Sequence, residues 1–235
     1  MKKKIKKRPV AVFDVDGTIF RSSLLIELVE AMIERKLFPE TVWEEYQKER
    51  RLWRDREGEY PDYINAVVRS FKLHLKGVSY TDFVDVAERV IDEQSKHVYR
   101  FTRDLIADLK KQGYFLLAVS QSPKTVLDKF AEKIGFDKAY GSLYELGPSD
   151  MFTGKMIDEH LIMNKANILR RAVEKENLTL KNSVGVGDTE SDVAFLELVK
   201  KPICFNPNAA LYRHATRMKW KVVVERKDVI YQIKK

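Results

Sequence analysis

Short apolar runs alternate with amphipathic helical patterns along most of the chain. The runs are rich in β-branched and aromatic residues and end at a glycine or a polar residue, as strands buried on both faces do. They span residues 9–14, 114–119, 183–187, 202–205 and 221–224, with a weaker run at 138–140. Helical patterns lie between them, at residues 123–134, 164–176 and 190–200. This alternation predicts an α/β fold in which helices cover a Rossmann-like parallel sheet.

Residues 21–98 follow a different pattern, because no run in them is typical of a strand. Apolar residues recur there at helical spacing, and Pro39 and Pro61 stand where helices are expected to begin. We therefore predict a core of residues 1–20 and 99–235, with a helical cap of residues 21–98 inserted after the first strand. The aromatic side chains of the cap are expected to pack its helices together rather than to line a pocket. These residues are Trp43, Tyr46, Trp53, Tyr60 and Tyr63.

Composition narrows the class of protein. The 235 residues are 44% hydrophobic and 33% charged, which suits a globular core with one inserted domain. No run of about 18 apolar residues exists, and no apolar segment follows the N-terminus. We therefore expect neither a membrane span nor a signal peptide, and predict a cytoplasmic location. One cysteine, Cys204, and four scattered histidines argue against a disulfide and a zinc site.

The formal net charge of +8 is concentrated at the N-terminus. The six basic residues there are Lys2, Lys3, Lys4, Lys6, Lys7 and Arg8. The rest of the chain is nearly balanced, and a short basic tail is typical of a solvated chain end. The expected partner is therefore a small molecule rather than a nucleic acid, and the sequence does not define an oligomeric state.

The first apolar run leads into Asp14-Val15-Asp16-Gly17-Thr18. Residues i and i+2 of an extended chain share a face, so Asp14 and Asp16 can project in the same direction. Two neighbouring carboxylates repel each other unless a cation or a shared proton compensates them. Asp-Gly is also a strong turn dipeptide, so this segment alone leaves both a turn and a site open.

Polar residues also follow the second run and begin a later helix. Ser120-Gln121-Ser122 comes directly after an apolar strand, where a hydroxyl either caps the next helix or donates to an anion. Lys165 begins a predicted helix, where its charge opposes the helix dipole. Local helix energetics therefore do not explain a lysine at this position.

A last polar segment follows the third run. Asp188 ends that run, and Asp192 lies one helical turn further along. The carboxyl ends of parallel strands share one edge of a sheet, where such folds bind ligands. Carboxylates, hydroxyls and a lysine at that edge are the groups needed to hold Mg²⁺ and a phosphoryl group.

The order and spacing of these segments resemble the haloacid dehalogenase superfamily. Its signature is an Asp-x-Asp-Gly-Thr start, a strand-end serine or threonine, a lysine and a Gly-Asp-x-x-x-Asp segment. The helical insert and the sequence Thr153-Gly154-Lys155 resemble its phosphoserine-phosphatase-like branch. The resemblance implies a Mg²⁺-dependent phosphatase that forms an aspartyl-phosphate and acts on a small phosphorylated metabolite.

The resemblance also implies a role for each matched residue. Asp14 is the nucleophile, and Asp16 protonates the leaving group and then deprotonates water. Asp14, the backbone carbonyl of Asp16, and Asp188 hold the Mg²⁺. The residues that bind phosphate oxygens are Ser120, Gln121 and Lys165, and the supporting residues are Thr18 and Asp192.

Three positions depart from dedicated phosphoserine phosphatases. Ser23 stands in place of a glutamate, Gln121 in place of a glycine and Ser191 in place of an asparagine. We therefore predict another phosphomonoester as the substrate, with a dedicated phosphoserine phosphatase or a phosphotransferase as alternatives. Asp16 argues against a dehalogenase, which does not need this acid. The alternatives outside enzymes are a phosphoryl sensor and a nucleic-acid-binding protein with a residual core.

Overall fold

One mixed sheet of eight strands organises the part of the chain that the computed structural model describes, residues 7–233. The strands are β1 (Pro9–Phe13), β2 (Phe115–Pro123), β3 (Lys138–Leu146), β4 (Phe152–Ile157), β5 (Thr179–Gly187), β6 (Lys201–Phe205), β7 (Lys221–Arg226) and β8 (Val229–Ile233). From one edge of the sheet to the other, their order is β4-β3-β2-β1-β5-β6-β7-β8.

The helices fall into two groups. Those of the predicted insert are α1 (Leu24–Glu34), α2 (Gln47–Asp55), α3 (Tyr60–Leu75) and α4 (Tyr80–Gln94). Those that follow are α5 (Arg100–Lys111), α6 (Lys124–Ile134), α7 (Glu159–Ile162), α8 (Lys165–Lys175), α9 (Val193–Leu196) and α10 (Ala209–Met218). Short 3₁₀ turns cover Glu40–Glu45, Pro148–Asp150 and Glu190–Asp192.

The order in which the chain adds strands to the sheet reverses at β1. This strand pairs in parallel with both β2 and β5, and parallel pairing continues to β3 on one side and to β6 and β7 on the other. The chain therefore adds β2 and β3 on one side of β1 before it returns to add β5 on the other. Open α/β sheets bind ligands at such a switch point. The predicted α/β class with a Rossmann-like sheet is confirmed.

Both edge strands and one helix differ from the sequence prediction. β4 and β8 pair antiparallel with β3 and β7 and were missing from the predicted sheet. β4 contains Gly154 in a left-handed conformation, and β8 has mostly exposed side chains, so neither has the apolar run of a central strand. The helix predicted at residues 190–200 is only a 3₁₀ turn followed by the four residues of α9.

The insert is helical as predicted, and its apolar faces merge with the sheet. One cluster of buried side chains includes Phe13 of β1 together with Phe71 and Phe83 of the insert. The ring of Phe83 packs against Phe152 of β4, with centroids 4.9 Å apart. Because this apolar cluster is continuous, packing does not mark a boundary, and the division into a core and a cap of residues 21–98 stays a prediction.

The N-terminal basic segment is only partly described. Arg8 donates from Nη2 to the carbonyl of Tyr114 at 2.7 Å, and its guanidinium lies 5.4 Å from the ring centroid of Phe115. Arg8 is therefore attached to the sheet rather than part of a solvated tail, whereas residues 1–6 lie outside the described range. None of the helices described between residues 7 and 233 is both long and apolar enough to cross a membrane.

Candidate active site

Asp14 lies at the carboxyl end of β1, at the switch point of the sheet. Its N–H donates to the carbonyl of Val186 at 2.9 Å, which continues the pairing with β5. Nζ of Lys165, the first residue of α8, donates to Asp14 Oδ1 at 2.5 Å and to Asp192 Oδ1 at 2.6 Å. All three side chains are at least nine-tenths buried. Two carboxylates thus compensate the buried ammonium, which explains the lysine at this helix start.

Asp192 also fixes the backbone that carries Asp188. Its Oδ2 accepts hydrogen bonds from the N–H groups of Asp188 at 3.0 Å and Thr189 at 3.1 Å. The Thr18 hydroxyl donates to Asp188 Oδ1 at 3.1 Å, which links the turn after β1 to the turn after β5. These contacts hold Asp188 beside Asp14, at the carboxyl ends of the paired strands β1 and β5. The supporting roles of Thr18 and Asp192 stay predictions.

Two glycines permit this close arrangement. Gly17 has a φ of 79°, and a Cβ there would overlap the Asp188 carboxylate. A Cβ on Gly187 would lie 2.6 Å from that of Asp192. Only glycine avoids both the left-handed strain at Gly17 and the steric overlap at either position. The turns after β1 and β5 therefore approach each other more closely than larger residues would permit.

Asp16 lies in a separate network of hydrogen bonds. Its Oδ1 accepts from the Leu24 N–H at 2.6 Å, at the start of α1. Its Oδ2 accepts from the hydroxyls of Ser120 and Ser122, the latter at 2.9 Å. Ser120 Oγ in turn accepts from the Ser122 N–H at 2.9 Å. This network ties the first residues of the insert to the end of β2 through a single carboxylate.

Gln121 is the predicted site residue that the structure does not bring into the cluster. Its side chain is exposed, whereas Ser120 and Ser122 on either side are buried. Successive residues of a strand face opposite sides, and β2 extends through all three. The hydrogen bond recorded for Gln121 runs from the Ser142 hydroxyl to its backbone carbonyl at 2.6 Å. Any contact of Gln121 with phosphate would therefore use its backbone, and that role stays a prediction.

The sequence analysis left two residues near the site without a role. Ser122 belonged to a segment recognised there, and strand alternation could have shown that it shares a face with Ser120. Tyr60, at the start of α3, was assigned to packing within the cap. Burial and the nearby carboxylates of Asp16, Asp188 and Asp14 raise the pKa of its hydroxyl. Only tertiary packing brings Tyr60 to this place, so no local signal could have identified it.

Burial dominates the electrostatics of the aspartates. It raises the pKa of Asp14 to about 7, against the lowering effect of Lys165 and with a further increase from Asp192 and Asp16. Burial, followed by repulsion from Asp14 and Asp192, also raises the pKa of Asp188 well above its usual range. Additional positive charge beside these carboxylates would favour their ionised forms.

The donor set fits a hard divalent cation. Asp14, Asp188 and Asp192 each offer a carboxylate oxygen, and these oxygens lie within 4.8 Å of one another. Carboxylate oxygens are the ligands that Mg²⁺ takes, usually with one or two carboxylates and several waters. Both oxygens of Asp192 already accept hydrogen bonds. Asp14 and Asp188 are thus the better ligands, while the predicted backbone contact of Asp16 stays a prediction.

Comparisons with known proteins agree with this geometry. The family model of haloacid dehalogenase-like hydrolases matches residues 11–197. A phosphoserine phosphatase of Archaeoglobus fulgidus is 26% identical over 88% of this chain and 55% of its own length. A phosphoserine phosphatase of Methanocaldococcus jannaschii is 23% identical over 95% of both chains. An inhibition of morphological differentiation protein of Streptomyces azureus is 26% identical over 68% of this chain.

The length of the matches differs among these relatives. The chain spans only a little over half of the Archaeoglobus and Streptomyces proteins, 55% and 56%. Among solved structures, a Bordetella pertussis Tohama I protein of unknown function has a TM-score of 0.69 at 17% identity, covering 92% of this chain and 98% of its own. A substrate-bound phosphoserine phosphatase has a TM-score of 0.61 at 20% identity, covering 95% and 96%. These structures share the fold.

Proposed function

Because the chain belongs to the haloacid dehalogenase-like hydrolase family, we propose that it is a Mg²⁺-dependent phosphatase acting on a small phosphomonoester. The observation that carries the proposal is the buried ion pair of Lys165 with Asp14, beside Asp188. This arrangement places a nucleophilic carboxylate next to groups that bind an anion and a cation. It is suited to phosphoryl transfer, in which positioning and charge compensation supply most of the catalysis.

Asp14 is the nucleophile in the proposed reaction. One of its carboxylate oxygens bonds to phosphorus while the bond from phosphorus to the leaving oxygen breaks, and the leaving oxygen takes a proton from Asp16. Water then attacks the aspartyl-phosphate, gives a proton back to Asp16 and releases phosphate from Asp14. The covalent intermediate divides one difficult hydrolysis into two easier steps. Lys165 binds a phosphate oxygen in both steps and remains close to Asp14.

Ser120 and Asp16 have to change partners for this chemistry. The Ser120 hydroxyl donates to Asp16 Oδ2 in the present structure. When Ser120 donates to a phosphate oxygen instead, Asp16 Oδ2 loses one of its two hydroxyl donors and becomes available to the leaving oxygen. Substrate binding thereby frees Asp16 for the proton transfer of the first step. The Ser122 hydroxyl and the Leu24 N–H hold Asp16 in place during the exchange.

The cation has a defined role beside these residues. Asp14 and Asp188 would hold it, together with the backbone carbonyl of Asp16. When bound, Mg²⁺ supplies Lewis-acid polarisation of the phosphoryl group and neutralises the charge that would otherwise keep a carboxylate from an anionic phosphate. Thr18 and Asp192 keep Asp188 oriented through the hydrogen bonds described above.

The substrate need not be phosphoserine, although three relatives are named phosphoserine phosphatase. A relative of Neisseria meningitidis serogroup C named histidinol-phosphatase is 22% identical over 91% of this chain and 97% of its own. Amino-acid recognition requires a carboxylate for the ammonium group, and the position expected for it holds Ser23, which is buried at the N-cap of α1. These features favour a phosphomonoester other than phosphoserine.

The test is a screen of phosphorylated metabolites with the purified full chain, with Mg²⁺ and with EDTA. We expect phosphate release from at least one phosphomonoester with Mg²⁺ and none with EDTA. Asp14→Asn, checked for folding by circular dichroism, should abolish release, because an amide is a poor nucleophile. More than a few per cent of wild-type activity in folded Asp14→Asn protein would refute the assignment.

A further inference from the structure

A cavity lies at the amino edge of the sheet, where the strands β6 and β7 begin. Its volume is about 510 Å³, which is within the range of ligand-binding pockets. Its walls come from the segment that joins α9 to β6 and from the segment that joins α10 to β7. Asp14 and Asp188 lie at the opposite, carboxyl edge, and the five residues of β6 span about 16 Å between the two edges. The cavity is therefore separate from the candidate active site.

Backbone hydrogen bonds fix both walls of this cavity. The N–H of Lys200 donates to the hydroxyl oxygen of Ser183 at 3.0 Å, which attaches the first wall to β5. In the second wall, Lys219 ends α10 with a φ of 59°, and the N–H of Trp220 donates to the carbonyl of Ala215 at 2.9 Å. The chain turns there directly from α10 into β7. The shape of the cavity therefore does not depend on a ligand.

Trp220 is the aromatic side chain that lines the cavity. It is half-buried, and its ring centroid lies 4.9 Å from that of His214 on α10. The apolar side chains that line the cavity beside it are those of Leu196, Val199, Pro202 and Met218. A partly exposed indole that is held in place can stack with a planar ring of a ligand.

Positive charge prevails around the cavity. Lys200, Lys219 and Lys221 line it, and Glu197 is the one carboxylate among the described residues that line it. Nζ of Lys221 lies over an aromatic ring of α5, 5.8 Å from its centroid, and Glu197 Oε1 lies 3.4 Å from Nε2 of His214. Lys200 and Lys219 are exposed, and within residues 7–233 neither forms an ion pair. Two ammonium groups are therefore available to an anion.

We propose that this cavity binds a free nucleotide, with Lys200 and Lys219 on its phosphate groups and Trp220 stacked on its base. A nucleotide joins a multiply charged anion to a planar ring, which are the two features that the cavity can bind. Lysine ammonium groups bind phosphate as point charges, and an aromatic side chain stacks on any base, so the site needs no base-specific contact. The site goes beyond the phosphatase reaction proposed above and does not depend on it.

Three ligands separate the contributions of charge and ring. ADP carries both, pyrophosphate lacks the ring and adenosine lacks the charge. Isothermal titration calorimetry with the full chain in EDTA, which removes the cation that the proposed hydrolysis requires, gives the affinities. We expect one ADP per chain, bound about tenfold or more tightly than either of the others, since a stacked base contributes on this scale. Absence of ADP binding, or equal affinities for ADP and pyrophosphate, would overturn the proposal.

Charge reversal then tests the two lysines. Lys200→Glu combined with Lys219→Glu should weaken ADP binding by about tenfold or more, because contacts between charged groups are lost. Lys175→Glu combined with Lys181→Glu is the matched control, since these exposed lysines flank the start of β5 at the same edge and the net charge changes equally. The control should bind ADP as wild type does. Equal losses in the two double variants would indicate unspecific attraction of the anion and refute the site.

Trp220 and the location of the ligand are tested last. Trp220→Leu should weaken binding of ADP but not of pyrophosphate, and Trp220→Phe, which keeps an aromatic ring, should restore most of the affinity for ADP. Thermal unfolding confirms that both variants fold. Photo-cross-linking of wild-type protein with 8-azido-ADP, followed by peptide mass spectrometry, should label residues 196–202 or 218–221. A label confined to residues 14–18 or 188–192 would place ADP in the candidate active site and contradict the proposal.

Discussion

The carboxyl edge of the sheet and the helical insert differ in how closely their charged groups are paired. At the edge, Lys165 contacts Asp14 and Asp192 at 2.5 and 2.6 Å, and every one of these groups is buried. In the insert, Arg50 stands 3.9 Å from Glu30, and the hydroxyl of Tyr46 has no partner among the described residues. The charged groups at the carboxyl edge are buried and closely paired, whereas the pair in the insert is partly exposed and held loosely.

Removal of the metal should have the largest effect on activity, because the proposed reaction at the carboxyl edge of the sheet requires the cation. EDTA is expected to abolish phosphate release, and Mg²⁺ to restore it. Ca²⁺ should inhibit, since it takes more oxygens at longer distances than Mg²⁺ and would engage both oxygens of Asp14. Steady-state rates in buffers with each ion provide the measurement. Full activity in EDTA would exclude a metal site at the switch point.

Asp16→Asn should lower turnover by about 10²–10⁴, the usual contribution of a general acid–base group. The amide keeps the shape of the side chain but cannot protonate a leaving oxygen. The loss should be smaller for aryl phosphates, whose leaving groups need less protonation, when formation of the aspartyl-phosphate limits the rate. Pre-steady-state measurement of that step with aryl and alkyl phosphates checks this. An equal loss for both substrates in that step would mean that Asp16 only maintains structure.

Lys165→Met should lower the free energy of unfolding by about 3–5 kcal/mol, because it leaves the buried carboxylates of Asp14 and Asp192 uncompensated. Lys133→Met is the matched control, since Lys133 contacts Asp92 at a similar 2.7 Å but the two side chains are 45% and 77% exposed. Such a surface pair contributes about 0–1 kcal/mol. Urea unfolding of both variants gives the comparison. Mg²⁺ should stabilise Lys165→Met more than wild type, and equal destabilisation of the two variants would contradict the account of the edge.

The smallest expected effect is that of a substitution at Ser23, in the insert, on the preference between two substrates. Ser23→Glu restores the carboxylate that dedicated phosphoserine phosphatases carry at this position. It should raise kcat/KM for phosphoserine relative to 2-hydroxyethyl phosphate by about tenfold at most, the scale of one charged hydrogen bond. Steady-state kinetics of both substrates provide the test, with circular dichroism to confirm folding at this buried position. A folded variant with an unchanged ratio would show that Ser23 does not determine specificity.

The sequence predicted the carboxyl edge of the sheet, where the candidate site residues lie, better than it predicted the helical insert. The reason is physical. Buried parallel strands carry continuous apolar runs, and their carboxyl ends must meet at one edge, so Asp14 and Asp188 could be placed together. The same alternation assigns Gln121 to the face opposite Ser120, and the prediction overlooked this. The edge strands β4 and β8 carry exposed side chains and lack that signal. The approach of Tyr60 to the site depends on helix packing, which has no local pattern.

The most direct test of the account is to identify the residue that receives the phosphoryl group. Wild-type protein would be mixed with substrate and Mg²⁺, quenched, and treated with hydroxylamine, which converts an aspartyl-phosphate into a hydroxamate at the same side chain. Peptide mass spectrometry should then find the hydroxamate at Asp14 and at no other aspartate, with Asp85→Asn, at an exposed position, behaving as wild type. A hydroxamate at another residue, or turnover in Asp14→Asn protein, would contradict the central claim.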